Sequence, residues 1–278
     1  MESRVKVIDC FGYNGEALAL FRLAYLWDVV DEFIIVEAGE TYAGQKKDAL
    51  FLDKNAALLE PFAAKLTRLV IERFPTPTDA QIAHLTHPSG KTDPHFWFRE
   101  KYQRNLAMAY LKTLPTPWVL LVCDMDEIPR RKFVSWLRRN YDACTGGGRL
   151  QMAMFYYSSL WRKPGGWNHA YVINDQGFGV HTLDALRVSP IIAKIFDDVG
   201  WHLSYFMPRE QIQRKIQGFA HQEFNSEAYY DLAWVDHCLR TGEDLFRRGP
   251  LETCTRYDGT DLPEGLKEFE RAHGIGVA

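Results

Sequence analysis

Three acidic residues stand directly after an apolar run in the middle of the chain, in WVLLVCDMDEIPR (118–130). The apolar run predicts a buried strand over 118–123, and Asp124, Asp126 and Glu127 lie where that strand ends. Since residues two apart in an extended chain share a face, Asp124 and Asp126 point to the same side. Converging carboxylates repel one another unless a cation lies between them, and their oxygens suit Mg²⁺ or Mn²⁺ completed by water and substrate phosphate. The pattern therefore predicts a divalent-metal site that takes a phosphate or diphosphate.

The same acids have a simpler interpretation and two competing enzymatic ones. An exposed acidic turn can cap the helix that follows, with Glu127 near the helix N-terminus. Phosphatases of the haloacid dehalogenase type place D-x-D-x-[TV] after an apolar strand, but Ile128 stands at the fifth position here and three predicted strands come before it. Nucleotide-sugar transferases of the GT-A type place D-x-D midway through the chain, after an α/β half, and the position of Asp124 fits that arrangement better.

The composition is that of a globular protein without a strongly charged partner. The chain has 278 residues, enough for one large domain or two small ones, and a net charge of −3 from 33 Lys+Arg against 36 Asp+Glu. Nucleic-acid binders usually carry a basic excess, so we expect no nucleic-acid partner. The 5 cysteines form no CxxC pair and are odd in number, which argues against a zinc knuckle and a disulfide framework.

Signals for export or membrane insertion are missing from the sequence pattern. The first residues, MESRVKVIDCFGYNGE, lack the apolar core of a signal peptide. No apolar run approaches the ~20 residues that a membrane-spanning helix needs. We therefore predict no transmembrane segment, reduced thiols and a cytoplasmic location, with peripheral contact with a membrane left open.

Strand-like and helix-like stretches alternate along the first half of the chain, at spacings typical of βαβ units. Such units build a mainly parallel central sheet flanked by helices, so we predict an α/β fold. The stretch 75–94 is rich in Pro, Thr and His and predicts a surface loop. The predicted strands are 5–11, 32–39, 68–74 and 118–123, and the predicted helices are 15–31, 55–69 with an interruption at Pro61, 95–114 and 130–141.

After TGGGR (145–149) the pattern changes, and we expect a mixed C-terminal half. The break falls near Gly146 to Gly148, which gives an α/β half at 1–145 and a mixed half at 146–278. We expect the two halves to form one integrated domain. The β-like runs of the second half are 150–161, 163–175 and 197–206, and its predicted helices are 208–221 and 227–242.

Several blocks, spaced along the chain in a fixed order, resemble glycosyltransferase family 17, the β-1,4-mannosyl-glycoprotein 4-β-N-acetylglucosaminyltransferase family. The resemblance covers roughly residues 5–245 and implies a GT-A-like nucleotide-sugar transferase fold. The membrane anchor and luminal stem of the animal enzyme have no counterpart in this sequence, so the resemblance supports the reaction type more than the acceptor. The blocks are VIDCFGYNGEALALFRLAYLWDVVDEFIIVEAGETYAGQKK (7–47), REKYQRN (99–105), DMDEIPR (124–130), GWHLSYF (200–206) and FAHQEFN (219–225).

The resemblance implies an inverting transfer of a sugar, N-acetylglucosamine by analogy, from a UDP-sugar donor to a hydroxyl of a glycan or saccharide acceptor. The departing diphosphate needs its charge neutralised, which a bound Mn²⁺ or Mg²⁺ does in this class. Residues 1–145 then form the donor half and 146–278 the acceptor half. The predicted metal ligands are Asp124, Asp126, His202 and His221.

The remaining site predictions concern the donor, the general base and the acceptor. The predicted donor-binding residues are Asp9, Glu37, Arg99, Gln103, Arg104 and Asp124, the last on the metal or the ribose. An inverting displacement needs a base on the acceptor hydroxyl, for which we select Glu223, with Glu127 as the second candidate. Trp161, Trp167 and Trp201 are candidates for stacking on acceptor sugars. The alternatives are the phosphatase, with Asp124 as nucleophile, and a non-catalytic sugar- or nucleotide-binding module.

Overall fold

A computed structural model describes residues 4–83, 85, 93–188 and 194–276, so residues 84 and 86–92 of the predicted loop 75–94 lie outside it. The strands are β1 Lys6–Gly12, β2 Glu32–Ala38, β3 Leu66–Ile71, β4 Trp118–Val122, β5 Glu127–Pro129, β6 Gly148–Leu150, β7 Met152–Tyr156, β8 Trp161–Trp167, β9 Tyr171–Asn174, β10 Lys194–Phe196, β11 Gly200–Ser204 and β12 Thr255–Arg256.

Short helices alternate with these strands. Within the described ranges, none of the helices has the length and apolar character that crossing a membrane requires. The helices are α1 Leu18–Leu26, α2 Phe51–Lys54, α3 Ala56–Leu59, α4 Asp79–Ile82, α5 Pro94–Asn105, α6 Ala107–Leu111, α7 Arg131–Arg139, α8 Leu183–Val188, α9 Arg209–Gly218, α10 Glu227–Tyr230, α11 Leu232–Thr241 and α12 Leu266–Ala272.

The central sheet has seven strands in the described part of the chain, in the order β10-β6-β9-β4-β1-β2-β3. β1 is parallel to β2 and β4, β2 to β3, and β6 to β10. β9 is antiparallel to both of its neighbours, β4 and β6, so the sheet is mixed. The predicted α/β class with a mainly parallel central sheet is confirmed.

Both faces of the central strands are buried, which is why β1 and β4 read as continuous apolar runs. Val7 and Phe11 of β1 belong to a core cluster with α1 and α7 on one face. Ile8 and Cys10 belong to a second cluster, with α6 and α8 on the other face. Helices thus cover the sheet on both sides, and functional side chains are left to the strand ends.

A second sheet of five strands has the order β12-β8-β7-β11-β5 in the described residues. It is also mixed, with β11 parallel to β7 and antiparallel to β5. Its strand β5 comes from before residue 145, whereas β6, β9 and β10 of the central sheet come from after it. The mixed C-terminal half is confirmed, and the division into a donor half and an acceptor half stays a prediction.

The β-like run predicted at 150–161 is divided between the two sheets. Leu150 ends β6 in the central sheet, and Met152 begins β7 in the other. Gln151 makes the transition, because its N–H donates to the Phe196 carbonyl (2.9 Å) and its carbonyl accepts from the Val199 N–H (3.1 Å). The sequence contains no Gly or Pro at this point, so the break is set by pairing partners far away in the chain.

The predicted helix 227–242 is also interrupted, and a capping interaction explains the break. The Asp231 carboxylate accepts from the Trp234 N–H (3.0 Å) and starts α11 anew after α10. Gly242 ends α11 with φ 74°, a left-handed conformation that glycine adopts at low cost.

The acid turn, residues 123–126, is the point where the chain leaves the central sheet and enters the second one. β4 ends at Val122 and β5 begins at Glu127. The second sheet pairs Glu127 with His202, and the Leu203 N–H donates to the Asp126 carbonyl (2.8 Å). The turn therefore lies at the junction of both sheets, with strand β11 directly beside it.

A buried ion pair supports the acid turn from α1. Arg22 and Asp9 are both 0% exposed, and the guanidinium binds the carboxylate through Nε–Oδ2 (2.8 Å) and Nη2–Oδ1 (2.6 Å). Arg22 Nη1 also donates to the backbone carbonyls of Asp124 (3.1 Å), Met125 (3.1 Å) and Glu127 (2.5 Å). Asp9 was predicted to bind the donor, and this placement corrects that assignment: its carboxylate is buried and neutralises the arginine that shapes the turn.

We expect Arg22→Met to lower the free energy of unfolding by about 3–5 kcal/mol, because it leaves the buried Asp9 charge unpaired. Arg4→Met is the matched control, since Arg4 pairs with Asp31 at the surface and is 72% exposed. That variant should lose less than about 1 kcal/mol. Urea unfolding of both variants measures the difference, and equal losses would contradict the role given to Arg22.

Candidate active site

A cleft of about 280 Å³ opens at the carboxyl ends of β1 and β4, where open α/β sheets bind their ligands. Its walls come from the β1–α1 connection, the loop that follows β2, helix α5, the acid turn, strand β11 and helix α9. The charged and histidine side chains that line it are Glu16, Glu40, Lys47, Glu100, Arg104, Asp124, Asp126, His202, Lys215 and His221.

Asp124 lies in this cleft between two arginines. Its Oδ1 accepts from Arg104 Nη2 (3.2 Å), and its Oδ2 accepts from Arg187 Nη2 (2.5 Å). Burial by itself would raise the pKa of Asp124, but Arg187 and Arg104 outweigh it and lower the pKa. Asp124 is therefore a carboxylate at neutral pH, and both of its oxygens already bind cations.

Glu127 lies beneath the cleft and is 0% exposed. Arg187 binds both of its oxygens (2.6 and 2.8 Å), the Asp124 N–H donates to Oε2 (2.5 Å), and Trp167 Nε1 donates to Oε1. The prediction that Glu127 is a general base does not fit this placement, because its oxygens are buried and fully occupied. Glu127 positions Arg187, which in turn binds Asp124.

Asp126 carries the carboxylate that faces groups from the second half of the chain. Its Oδ1 is 3.4 Å from His202 Nε2, and its Oδ2 is 3.3 Å from Lys215 Nζ. Burial by itself would raise the pKa of Asp126, but Lys215 and His202 outweigh it and hold the pKa far below its usual range. The other ring nitrogen of His202, Nδ1, is buried without a hydrogen-bond partner in the described part of the chain.

The predicted metal ligands are only partly brought together. Asp126 and His202 are adjacent, at a separation close to the ~3 Å between neighbouring ligands of an octahedral ion bound at about 2.1 Å. His221 instead contacts Glu223, with Nδ1 and Oε1 2.8 Å apart. Within the described residues, no three His, Cys, Asp or Glu side chains form a group that could hold a metal ion. The donor set therefore fits an ion held by two side chains and completed by substrate oxygens and water.

Three of the six predicted donor-binding residues, Gln103, Arg104 and Asp124, line the cleft, and the other three do not. Arg104 and Gln103 line it, and Gln103 Nε2 donates to the Val36 carbonyl (2.7 Å). Glu37 is 0% exposed and accepts from the Phe51 N–H (2.7 Å) and the Leu52 N–H (2.8 Å) at the start of α2. Its assignment to the nucleotide is corrected, because it caps a helix instead.

Arg99 donates through Nη1 to the Tyr42 carbonyl (2.9 Å) and is not among the described residues that line the cleft. Its assignment to the donor stays a prediction that this position does not support. Arg104 is the arginine of this helix that reaches the acid turn, and it also binds Glu100 (3.0 Å) and Asp184 (2.5 Å). Glu100 and Arg104 are four residues apart on the helix, so their ion pair joins adjacent turns of α5.

Only some of the candidates for base and acceptor contacts lie at the cleft. His221 lines the cleft and carries the contact with Glu223, which is 13% exposed. Trp167 lines the cleft, with its ring centroid 4.5 Å from that of His202. Trp201 is 3% exposed and donates to the Asp261 carbonyl (3.0 Å), so it is a core residue. Trp161 donates to the Leu239 carbonyl (2.9 Å) and does not line the cleft in the described residues.

Three basic residues of the site were not identified from sequence. Arg22 lies in the first family-like block and in the predicted helix 15–31. A charged residue in such a helix is expected to be exposed to solvent. Arg187 lies on α8, a helix of 6 residues that shows no clear periodicity. Lys215 lies on the predicted helix 208–221, next to Arg214, which is exposed. No local pattern distinguishes these three, because their partners are more than 10 residues distant.

We expect Glu127→Gln to lower the free energy of unfolding by about 1–3 kcal/mol, because the buried Arg187 loses a charged partner. Glu268→Gln is the matched control: Glu268 pairs with Arg271 (2.7 Å) at the surface and is 68% exposed. It should change stability by less than about 1 kcal/mol. Urea unfolding distinguishes the two, and an unchanged Glu127→Gln variant would return Glu127 to the candidates for general base.

Over most of its length the chain is similar to one family of known proteins. A solved structure of a putative glucose-1-phosphate thymidylyltransferase from Bacillus anthracis, in complex with a sucrose, is similar at 10% identity and a TM-score of 0.37, over 71% of this chain and 88% of that one. A similarity of this degree carries no argument. No curated protein matches the chain. The family model described as glycosyltransferase family 17 matches residues 1–262 of the 278. The chain therefore belongs to glycosyltransferase family 17.

Proposed function

We propose that this glycosyltransferase moves N-acetylglucosamine from a UDP-sugar to a hydroxyl of a glycan or saccharide acceptor, with inversion at the sugar carbon. The observation that carries the proposal is the position of Asp124 and Asp126 in a cleft at the carboxyl end of β4, with Asp126 beside His202. The donor sugar, the acceptor class and a cytoplasmic location rest on the sequence and the family alone.

The charge of the cleft supports a divalent cation as part of the proposed reaction. Among the residues that the structure describes, five carboxylates line the cleft against three lysine and arginine side chains. A nucleotide diphosphate brings further negative charge, so it would be repelled unless a cation accompanied it. We propose that Asp126 and His202 hold Mn²⁺ or Mg²⁺ there, with Asp124 next to it. When bound, the ion neutralises the charge that develops on the leaving diphosphate.

The chain's own residues supply orientation and proton transfer in this proposal. Arg104 and Arg187 fix the Asp124 carboxylate, so the acid turn keeps its shape when a charged ligand enters. The acceptor hydroxyl must lose a proton as the new bond forms. We retain Glu223 as the proposed base, acting together with His221, because His221 lies in the cleft and contacts Glu223 directly.

The phosphatase alternative fits the same site less well. It requires Asp124 to attack a phosphate ester as the nucleophile. Both oxygens of Asp124 accept hydrogen bonds from arginines, at 3.2 and 2.5 Å, which lowers their nucleophilicity. A non-catalytic binding module would use the same cleft, and it differs from the transferase only in the absence of turnover.

Ligand binding tests the proposal directly. We expect UDP with Mn²⁺ to raise the melting temperature by about 5–10 °C at 100 times the Kd, and either component alone to raise it less. Asp126→Asn should lose most of this shift, because it removes a charged ligand of the ion. Asp53→Asn is the control, since Asp53 is 61% exposed and pairs with Arg68 at the surface.

Turnover separates the remaining interpretations. Slow release of UDP from UDP-GlcNAc, dependent on Mn²⁺ and lost in Asp126→Asn, is the expected result. Release from a different UDP-sugar would keep the mechanism and replace the donor. Binding of UDP·Mn²⁺ without any turnover of nucleotide sugars, with saccharide acceptors present, would favour the binding module. The absence of any shift with UDP, Mn²⁺ or Mg²⁺ would contradict the proposed function.

A further inference from the structure

Lys215 reaches the acid turn from α9, across the cleft from the central sheet. Its Nζ is 3.3 Å from Asp126 Oδ2, 4.0 Å from Glu16 Oε1 and 5.4 Å from the centre of the Tyr205 ring. The side chain lines the cleft and is 24% exposed. It lies outside the D-x-D motif and outside the family-like blocks at 200–206 and 219–225.

The surroundings of Lys215 hold it at this position. Tyr205 has φ 59°, a left-handed conformation that non-glycine residues adopt mainly where the surrounding structure imposes it. At the end of α9, the Gly218 carbonyl accepts from the Ala43 N–H (3.2 Å), and a Cβ at Gly218 would lie 3.3 Å from Thr41 Cγ2. Helix α9 is thus packed against the loop that forms the facing wall, and its lysine points into the space between them.

The charges around Lys215 determine what it can bind. Its ammonium group lies between the carboxylates of Asp126 and Glu16, which it pairs with at 3.3 and 4.0 Å. A divalent ion on Asp126 would place two further positive charges next to this ammonium group, and they would repel it. A diphosphate lying between the ion and the amine removes the repulsion, because its oxygens can contact both.

We propose that Lys215 binds the diphosphate of the donor directly, as a cation supplied by the protein beside the divalent metal, and that its ion pair with Asp126 competes with the metal for that carboxylate. This inference rests on the proposed function and adds to it a specific residue for the diphosphate. Removal of the Lys215 charge should therefore weaken the binding of UDP and strengthen the binding of Mn²⁺. A merely structural lysine would weaken the binding of both.

Titration calorimetry with UDP in EDTA, with UDP at saturating Mn²⁺, and with Mn²⁺ alone tests the proposal. Lys215→Met should weaken UDP binding about tenfold or more in both conditions, the effect of one charge-assisted contact. The same variant should bind Mn²⁺ alone about fivefold more tightly, because Asp126 has lost its competitor. Arg214→Met is the matched control: it removes the same charge from an exposed, neighbouring position of α9 and should leave both affinities within about twofold.

Lys215→Gln also removes the charge but keeps a polar side chain. It is the charge-removing variant to use if Lys215→Met does not fold. Lys215→Arg keeps the charge and should retain most of the UDP affinity. UDP affinity within twofold of the wild type in the charge-removing variant would overturn the diphosphate contact. Mn²⁺ affinity that is unchanged or weakened would overturn the competition. A wild type that binds no nucleotide would overturn the proposed function, and this inference with it.

Discussion

The site depends on one buried guanidinium, that of Arg22, which is held by Asp9 and donates to the Asp124 and Met125 carbonyls of the acid turn and to the Glu127 carbonyl that follows it. A turn that carries two aspartates would tend to open, because its negative charges repel one another. Here the backbone carbonyls face the arginine, and the fourth, that of Asp126, accepts from Leu203. With the carbonyls of Asp124, Met125 and Asp126 bound, the carboxylates of Asp124 and Asp126 are the groups that remain for the cleft.

The three acids of the motif have different surroundings and therefore different roles. Glu127 is fully buried and bound to Arg187, so its charge is neutralised inside the protein. Asp124 is partly exposed and shared between two arginines of the first and second halves. Asp126 faces His202 and Lys215, both from the C-terminal half. A buried structural carboxylate (Glu127) and a ligand-facing one (Asp126) thus occur within a stretch of four residues. The difference between them follows from the strand or helix that each side chain contacts.

Sequence alone predicted the features that local patterns determine. The alternation of strands and helices and the acids at the end of β4 follow from periodicity and spacing. The assignments of Asp9, Glu37 and Glu127 failed for a common reason: a buried acid and a ligand-binding acid look alike in sequence, and only distant partners such as Arg22 distinguish them. The transition of the chain between sheets at Gln151 was missed for the same reason, since its partners lie more than 40 residues further along.

The acid turn connects two sheets, and this constrains its length as well as its composition. β4 is fixed by its pairing with β1 and β9, and β5 by its pairing with β11. Adding or deleting one residue between Val122 and Glu127 would shift β5 by one position against β11 and send its side chains to the opposite faces. Glu127 would then leave Arg187, and the partner of His202 in the ladder would change. An insertion or deletion in this stretch would therefore disturb the site more than a substitution does, since it would separate the acids from the histidine and lysine that face them.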